Sequence, residues 1–233
     1  MKPKVAFFLP VRNGSERVIN KNYKTFAGVE GGLLKLKLLQ LFDVVNLDEI
    51  ILSTNCEKCI EIAESLSNSD KRLKIVRRPE YLCQSYTDLQ DLIKYVPTIT
   101  NAEHILWGHV TTPFADHNDY NLAIDTYLKQ LVYGFDSLIS VQKLQNYIYN
   151  YNFELINNPT ILPWPRTQDL DCCYELNHAM FITRRETYLK SSNRCGVNPY
   201  LFSMGKINSI DIDTMEDFYI AEMLYGVSRS KSG

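Results

Sequence analysis

A basic loop near the start of the chain carries residue types that could bind phosphate. Pro10 to Asn22 contains Arg12, Arg17 and Lys21 around the glycine Gly14. Arginine grips phosphate oxygens through paired hydrogen bonds, lysine acts as a point charge, and backbone N–H groups turned by a glycine attract anions. The loop has neither the G-K-[ST] of a Walker loop nor a G-x-G-x-x-G pattern. It therefore predicts phosphate binding, with a solvated basic loop as the alternative.

An acidic segment near the end of the chain could hold a metal ion. Ser209 to Asp213 alternates isoleucine with aspartate, which predicts a strand. Residues two apart on a strand share a face, so Asp211 and Asp213 would point the same way while Ile210 and Ile212 face the core. Adjacent carboxylates repel unless a positive charge lies between them, and Mg²⁺ accepts one or two carboxylates plus substrate phosphates. The segment predicts a magnesium site, with an acidic helix-capping turn as the alternative.

Two further polar segments could contact a substrate. His109 to Phe114 leaves the fourth predicted strand at a proline, and Thr111 offers a hydroxyl at that edge. Pro163 to Gln168 holds Arg166 and Gln168 in a stiff proline-rich stretch that could recognise a carboxylate or an amide. An ordinary loop is the alternative for both segments.

Cysteine spacing gives little support for a structural zinc site. Cys56 and Cys59 form a C-x-x-C pair, whereas Cys172 and Cys173 are adjacent and lack the spacing that a second pair would need. The alternative interpretation is that Cys56 and Cys59 are small buried residues at the start of a helix.

Elements that would position these segments alternate between apolar strands and helical patterns. This alternation predicts an α/β fold with a parallel sheet covered on both faces, in which ligands lie at the carboxyl ends of the strands. The predicted strands are Val5–Pro10, Glu49–Thr54, Leu73–Arg77, His104–Val110, Ser137–Val141, Ala179–Thr183 and Ser209–Asp213. The predicted helices are Leu33–Val45, Glu57–Leu66, Asp88–Tyr95, Tyr120–Leu131 and Met215–Tyr225, the last capped by Thr214 with Asp217.

The alternation breaks between residues 144 and 177, a stretch rich in Tyr, Asn and Pro. Aromatic residues alternate from Tyr147 to Phe153, as in an exposed hairpin. We interpret residues 1–233 as a single domain from which residues 144–177 project as an arm.

The bulk composition narrows the class of protein. The chain has 233 residues and a net charge of −2, so no nucleic-acid or membrane surface is indicated. No apolar run approaches the ~20 residues of a membrane helix. Lys4 to Val11 reads as the first core strand rather than a signal peptide. We therefore expect a cytoplasmic protein whose six cysteines need not be paired.

The order of these landmarks resembles the acylneuraminate cytidylyltransferases, the CMP-sialic acid synthetase family that includes the pseudaminate, legionaminate and Kdo activators. The resemblance runs from about Val5 to Tyr225. The matching motifs are Arg12-Asn-Gly-Ser-Glu-Arg-Val-Ile-Asn-Lys21-Asn, Ser53-Thr54-Asn55, Arg78-Pro79, Thr111-Thr112-Pro113, Arg166-x-Gln168, Asn177, and Ser209-Ile-Asp211-Ile-Asp213-Thr with Asp217 and Ala221-Glu222.

Some positions depart from the family pattern, mostly in loops that the resemblance places beside the sugar. Glu16 stands where lysine is usual and weakens the charge of the basic loop. The other departures are Ile19 for Pro, Asn55 for Asp, His109 for Gln, Ala115 for Arg and His178 for Gly.

The resemblance implies a Rossmann-like, mostly parallel sheet flanked by helices, with a small dimerisation arm and therefore a homodimer. It implies transfer of CMP from CTP to the anomeric hydroxyl of an acidic, sialic acid-like sugar, with release of pyrophosphate. Two alternatives remain open: a glycosyltransferase that uses D-x-D to bind a nucleotide-sugar, and a homologue that binds CTP without catalysis.

The resemblance also implies roles for individual residues. Arg12, Lys21, Asp211 and Asp213 would be catalytic, and the two aspartates would hold Mg²⁺. The residues expected at CTP are Arg12, Asn13, Gly14, Asn22, Arg78 and Thr87. Those expected at the acidic sugar are His109, Thr111, Lys143, Arg166, Gln168 and Asn177.

Overall fold

A computed structural model describes residues 3–14 and 17–230, with side chains described as far as residue 227. Strands and helices alternate along the first half of the chain, as the sequence predicts. The strands are β1 (Val5–Val11), β2 (Glu49–Thr54), β3 (Leu73–Arg77), β4 (His104–Trp107), β5 (Ser137–Leu144), β6 (Cys173–Arg184) and β7 (Pro199–Met204). The helices are α1 (Gly32–Phe42), α2 (Glu57–Leu66), α3 (Leu89–Tyr95), α4 (His117–Gln130), α5 (Arg185–Ser191) and α6 (Met215–Ser230).

The described strands form one seven-stranded sheet in the order β3-β2-β1-β4-β6-β5-β7. Neighbouring strands are parallel except at β6, which runs antiparallel to both β4 and β5. The sheet is therefore mixed and mostly parallel, which confirms the predicted fold class. Strand β6 is the antiparallel member that makes the sheet mixed.

Strand β1 lies near the middle of the sheet and divides the core into two layers. Val5, Phe7 and Leu9 pack on the face covered by α1, α2, α4 and α6, while Ala6 and Phe8 pack on the face covered by α3 and α5. Both faces are buried, so an apolar residue is favoured at every position of the strand. The chain leaves this central strand directly into the basic loop.

The predicted strand at Ser209–Asp213 is wrong. This segment is an extended loop, because its backbone bonds to turns and to another connection rather than to a neighbouring strand: the Ser209 N–H donates to Gly205 O, and the Ile212 N–H donates to Thr111 O. Pro199–Met204 forms β7 instead. Ile212 is nevertheless fully buried while Asp213 is exposed, whereas Ile210 and Asp211 are both half-buried, so the predicted alternation holds only for the last two residues.

The predicted cap of the last helix is confirmed. The Thr214 N–H donates to Asp217 Oδ2 at 2.7 Å, and the Asp217 N–H donates back to Thr214 Oγ1 at 3.2 Å. These reciprocal bonds satisfy backbone donors that a helix start leaves unpaired. The cap fixes the chain direction immediately after the aspartate pair.

The arm contains the expected short hairpin, with an antiparallel bridge between Tyr149 and Leu155. Its tip exposes Tyr151 and Phe153, and the Phe153 ring stacks on Tyr149 with centroids 4.6 Å apart.

None of the described helices is both long and apolar enough to cross a membrane.

Candidate functional site

A cleft of about 340 Å³ opens where β1 and β4 end. The carboxyl edge of a parallel sheet is the usual ligand position in such folds. Trp107, Leu89 and Leu92 form part of its wall. The cleft brings together these residues that the sequence predicts for the site: Arg12, Lys21, Asn22, Arg78, His109 and Thr111.

The basic loop is held in shape by side-chain bonds to its own backbone. Asn22 Nδ2 donates to Arg12 O at 3.1 Å, and the Asn13 N–H donates to Asn55 Oδ1 at 2.9 Å. Gly14 has a φ of 78°, a left-handed conformation that favours glycine. Asn13 and Gly14 do not line the cleft, and Glu16 lies outside the described residues.

Asn55 shows why one departure from the family pattern suits this chain. Its Nδ2 donates to both carboxylate oxygens of Glu80, at 3.1 and 3.2 Å, while its Oδ1 accepts from Asn13. An ionised aspartate could accept from Asn13 but could not donate to Glu80. The amide therefore joins the basic loop to the segment that follows β3.

Lys21 links the basic loop to the aspartate pair. Its Nζ donates to Ile212 O at 2.6 Å, between Asp211 and Asp213 in the chain. Burial lowers the pKa of Lys21, and the charges of Asp213 and Asp211 oppose that shift. Arg17 adds a second cation, 3.5 Å from Asp213 Oδ1. The positive charge that two adjacent carboxylates require is thus supplied by the basic loop.

The two aspartates differ in their surroundings. Asp211 is half-buried, and its Oδ1 has no hydrogen-bond partner among the described residues. Burial raises the pKa of Asp211, while a hydrogen bond from Thr111 acts in the opposite direction. Asp213 is exposed beside Arg17. A buried oxygen without a partner costs free energy unless a ligand or ion supplies one, so Asp211 is the better candidate for ligand binding.

Arg78 also lines the cleft, whereas the loop of Asp211 and Asp213 meets it only through Lys21. Its Nη2 donates to Ser53 O at 2.8 Å, and its Nε is buried without a partner among the described residues. Burial lowers the pKa of Arg78. The predicted neighbour Thr87 does not line the cleft, because its hydroxyl donates to Tyr81 O within its own loop.

The model of the cytidylyltransferase family matches residues 6–194 of this chain. The chain belongs to the cytidylyltransferase family. The match covers β1 and the basic loop, β4 and the His109 connection, and the arm. The match ends before the loop that carries Asp211 and Asp213. The assignment of these two residues to the site therefore rests on the geometry described above.

Curated relatives of this cytidylyltransferase family member are similar at low identity. The N-acylneuraminate cytidylyltransferases of Streptococcus agalactiae serotype V and Escherichia coli O18:K1:H7 are 25% and 24% identical over 94% and 95% of this chain. The chain spans about half the length of these relatives, 52% of each. The pseudaminic acid cytidylyltransferase of Campylobacter jejuni serotype O:23/36 is 22% identical over 96% of this chain and 97% of its own length.

Solved structures share the fold of this family member. CMP:2-keto-3-deoxy-manno-octonic acid synthetase complexed with CTP superposes with a TM-score of 0.68 at 12% identity, covering 97% of this chain and 99% of that one. The 4-diphosphocytidyl-2C-methyl-D-erythritol synthase of Anaerococcus prevotii gives a TM-score of 0.65 at 16% identity over 96% of each chain. At these identities the likeness concerns the fold alone.

His109 is held in one tautomer in this family member. Trp107 Nε1 donates to His109 Nε2 at 3.2 Å, so the neutral ring carries its proton on Nδ1. Burial and the nearby charge of Arg194 lower the pKa of His109 to about 3. The ring is therefore neutral near pH 7 and offers one N–H donor.

Several predicted sugar-side residues do not line the cleft of the described chain. Arg166 is exposed and binds Asp169 through Nε and Nη2, at 2.8 and 3.0 Å. Lys143 is exposed on β5, and Gln168 accepts a bond from Gln145 through its backbone carbonyl. The roles of Lys143, Arg166 and Gln168 remain predictions.

Asn177 is buried and has a visible structural role. Its Oδ1 accepts from the Ser140 hydroxyl at 2.5 Å, and its Nδ2 donates to Ser209 Oγ at 3.0 Å. It therefore ties β5 and β6 to the loop that carries Asp211. A direct contact between Asn177 and substrate stays a prediction.

Sequence patterns missed several residues of this site. The sequence pattern predicts that Trp107 is an ordinary core residue of a strand. It also predicts that Lys37 is an exposed residue of an otherwise apolar helix. Lys37 is in fact fully buried, and its Nζ donates to Thr112 O, Ala115 O and the Tyr120 hydroxyl at 2.7–2.9 Å. It fixes the turn that follows the cleft residues of the β4 connection. No local signal distinguishes such a lysine from an exposed one.

The buried ammonium of Lys37 predicts a pH-dependent stability. Burial lowers the pKa of Lys37 to about 7, against 10.5 for an ordinary lysine. Between these values the unfolded chain binds one more proton than the folded chain, so the free energy of unfolding should rise with pH. Relative to Lys37→Met, the wild type should gain stability from pH 7 to 9, as measured by urea unfolding.

The control for this experiment is Lys129→Met, which removes an exposed lysine of α4. A difference between wild type and Lys37→Met that stays constant from pH 6 to 9 would contradict a lowered pKa at Lys37.

Proposed function

We propose that this chain transfers CMP from CTP to the anomeric hydroxyl of an acidic, sialic acid-like sugar and releases pyrophosphate. The observation that carries the proposal is the meeting of Arg12, Lys21 and Arg78 at one cleft, beside the aspartate pair, in a member of the cytidylyltransferase family. Relatives named for N-acylneuraminate and for pseudaminic acid support an acidic sugar as the acceptor.

The described residues suit a reaction that depends on positioning and charge. The sugar oxygen attacks the α-phosphorus while the bond to pyrophosphate breaks in line, and no side chain acts as a nucleophile. Arg12 and Lys21 would bind the triphosphate and stabilise the departing charge. Arg78, with its unpaired Nε, would face the nucleotide, together with Asn22. Asn13, Gly14 and Thr87 would shape the surrounding loops.

The aspartate pair suits a hard divalent cation. Asp211 offers a buried oxygen without a partner, and Asp213 is exposed beside it. No group of three or more potential ligands of the His, Cys, Asp or Glu type occurs among the described residues, so substrate phosphates and water would complete the sphere. Mg²⁺ bound by Asp211 and Asp213 would neutralise phosphate charge.

The arm would complete the enzyme as a homodimer. Its exposed aromatic residues, Tyr151, Phe153 and Trp164, are types that interfaces favour. Three predicted sugar-side residues lie at the base of this arm or along it and do not line the cleft of their own chain: Lys143, Arg166 and Gln168. Their contact with the sugar would therefore depend on a second subunit. We place the reaction in the cytoplasm.

A substrate panel tests this function. We expect the protein to release pyrophosphate from CTP, and not from ATP, GTP or UTP, in the presence of Mg²⁺ and one of four acids: N-acetylneuraminate, legionaminate, pseudaminate or Kdo. At equal concentrations another acid should compete better than N-acetylneuraminate, because His109, which lines the cleft, replaces the amide of the usual pattern. Ala115, the other departure expected beside the sugar, is buried in the core away from the cleft. Pyrophosphate release would be measured by a coupled assay.

Three outcomes would overturn parts of the proposal. A clear preference for N-acetylneuraminate would refute the expected shift in acceptor. Binding of CTP without pyrophosphate release for any acid would favour a non-catalytic homologue. Turnover of a nucleotide-sugar in place of free CTP would favour a glycosyltransferase.

A further inference from the structure

The bulge in β6 is an unusual feature beside the cleft. Between the pairs Ile139–Phe181 and Val141–Leu176, β6 advances five residues while β5 advances two. Such bulges re-aim side chains and often lie next to active sites. His178 is one of the extra residues, and its side chain is exposed.

The backbone of His178 is strained. Its φ is 57°, in the left-handed region where glycine is favoured and where the family pattern has glycine. The Asn177 bonds to Ser140 and Ser209, together with the Met180 N–H bond to Ser140 Oγ at 2.8 Å, hold the bulge in place. A non-glycine residue kept in such a conformation at a candidate site points to a task for its side chain.

The His178 ring lies beside His109, with centroids 6.4 Å apart and planes at 83°. His109 points one N–H donor away from its bond to Trp107. Asn177, the residue before His178, donates to Ser209 Oγ at 3.0 Å, which brings the bulge close to the loop that carries Asp211. Two imidazoles, each able to donate a hydrogen bond, therefore lie side by side where the bulge meets the cleft.

Arg194 provides a half-buried positive charge against Trp107, the residue that fixes His109. Its guanidinium carbon lies 4.0 Å from the Phe181 ring centroid and 4.7 Å from that of Trp107, and its Nη1 is buried without a partner. No salt bridge to a carboxylate is found for it among the described residues. A half-buried cation that lacks an anion creates a positive potential that favours a negative group nearby.

We propose that His109 and His178, supported by Arg194, form the subsite that receives the carboxylate of the acceptor sugar. This inference rests on the proposed function. It differs from the assignment of the carboxylate to Arg166, since Nε and Nη2 of Arg166, the edge suited to a paired contact, are bound to Asp169. Arg194 would not touch the sugar. It would act through its electrostatic potential and by packing on Trp107, which bonds to His109, so it is a positioning residue.

The test compares His178→Gly with the wild type. Glycine relieves the left-handed strain, so the melting temperature should stay the same or rise. The value of kcat/KM for the preferred acid of the four-acid panel should fall by about 10- to 100-fold, as expected for loss of a charged hydrogen bond, with little change in KM for CTP. His178→Asn, which tolerates the left-handed region and keeps an N–H donor, should recover part of the loss.

A second substrate assigns the loss to the carboxylate. With the C1 methyl ester of the same sugar, wild type and His178→Gly should differ by less than about threefold, because the charge that the subsite recognises is absent. His117→Asn, at the start of α4, is the matched histidine control.

Each other outcome is decisive. If wild type turns over an acid and His178→Gly is equally active, or if its loss is the same for acid and ester, the subsite assignment is wrong. If Arg166→Ala instead shows the acid-specific loss, the carboxylate belongs to Arg166. A wild type that releases no pyrophosphate with any of the four acids overturns the proposed function and this inference together.

Discussion

Asp211→Asn should lower the rate of pyrophosphate release by about 10²- to 10³-fold, the range seen when a preorganised charged group is lost from a reaction centre. Asparagine keeps the shape of the side chain but removes the charge from the oxygen that lacks a partner. Because burial raises the pKa of Asp211, a neutral substitute should leave the melting temperature unchanged or higher. Rate at varied Mg²⁺ and thermal unfolding measure the two effects.

Asp213→Asn should have the smaller effect of the two. Asp213 is exposed and has Arg17 3.5 Å away, so its charge is already partly compensated. Asp125→Asn, on α4, is the control for removal of an acid elsewhere. Near-normal rates for both Asp211→Asn and Asp213→Asn at low Mg²⁺ would exclude the metal role.

Lys21→Met should lower kcat/KM for CTP by about 10²-fold or more. The ammonium lines the cleft and donates to Ile212 O, so its loss removes charge from the phosphates and also frees the aspartate loop. The lost charge and the freed loop would both weaken binding of the triphosphate, so their effects on kcat/KM should combine. Steady-state kinetics at varied CTP measure the change.

Lys24→Met is the matched control for this variant. Lys24 lies three residues further along, with its ammonium 5.1 Å from the Phe218 ring centroid, and it does not line the cleft. Comparable losses in Lys21→Met and Lys24→Met would show that general charge, rather than the position of Lys21, supports activity.

The sequence by itself determined the first half of the fold. β1, β2 and β4 are buried at nearly every position, and such strands need near-continuous apolar runs that are easy to recognise, whereas β3 lies at the edge of the sheet and is only partly buried. The position of the basic loop was predictable because it directly follows the first of these strands. Ligands bind at the carboxyl ends of such strands, so charged residues there indicate a candidate site. The Thr214–Asp217 cap was predictable because it is a local pattern of four residues.

Tertiary structure alone decided the second half of the site. The direction of β6, its bulge and the loop path of Asp211 depend on bonds such as Ser140–Asn177 and Thr111–Ile212, which join residues far apart in the chain. A local pattern contains no information about partners at that separation. The isoleucine–aspartate alternation therefore predicted the burial of Ile212 and the exposure of Asp213, but not the partial burial of Asp211 or the lack of strand pairing.

Side-chain chemistry followed the same division. The sequence predicted that Arg166 could bind an anion, but the fold places Asp169 where it binds that guanidinium first. It identified His109 as a departure from the family pattern, but only the bond from Trp107 fixes its tautomer. The chemical type of a group is a property of the residue, whereas its charge, its free donors and its neighbours are set by the fold, because burial and hydrogen bonding decide them.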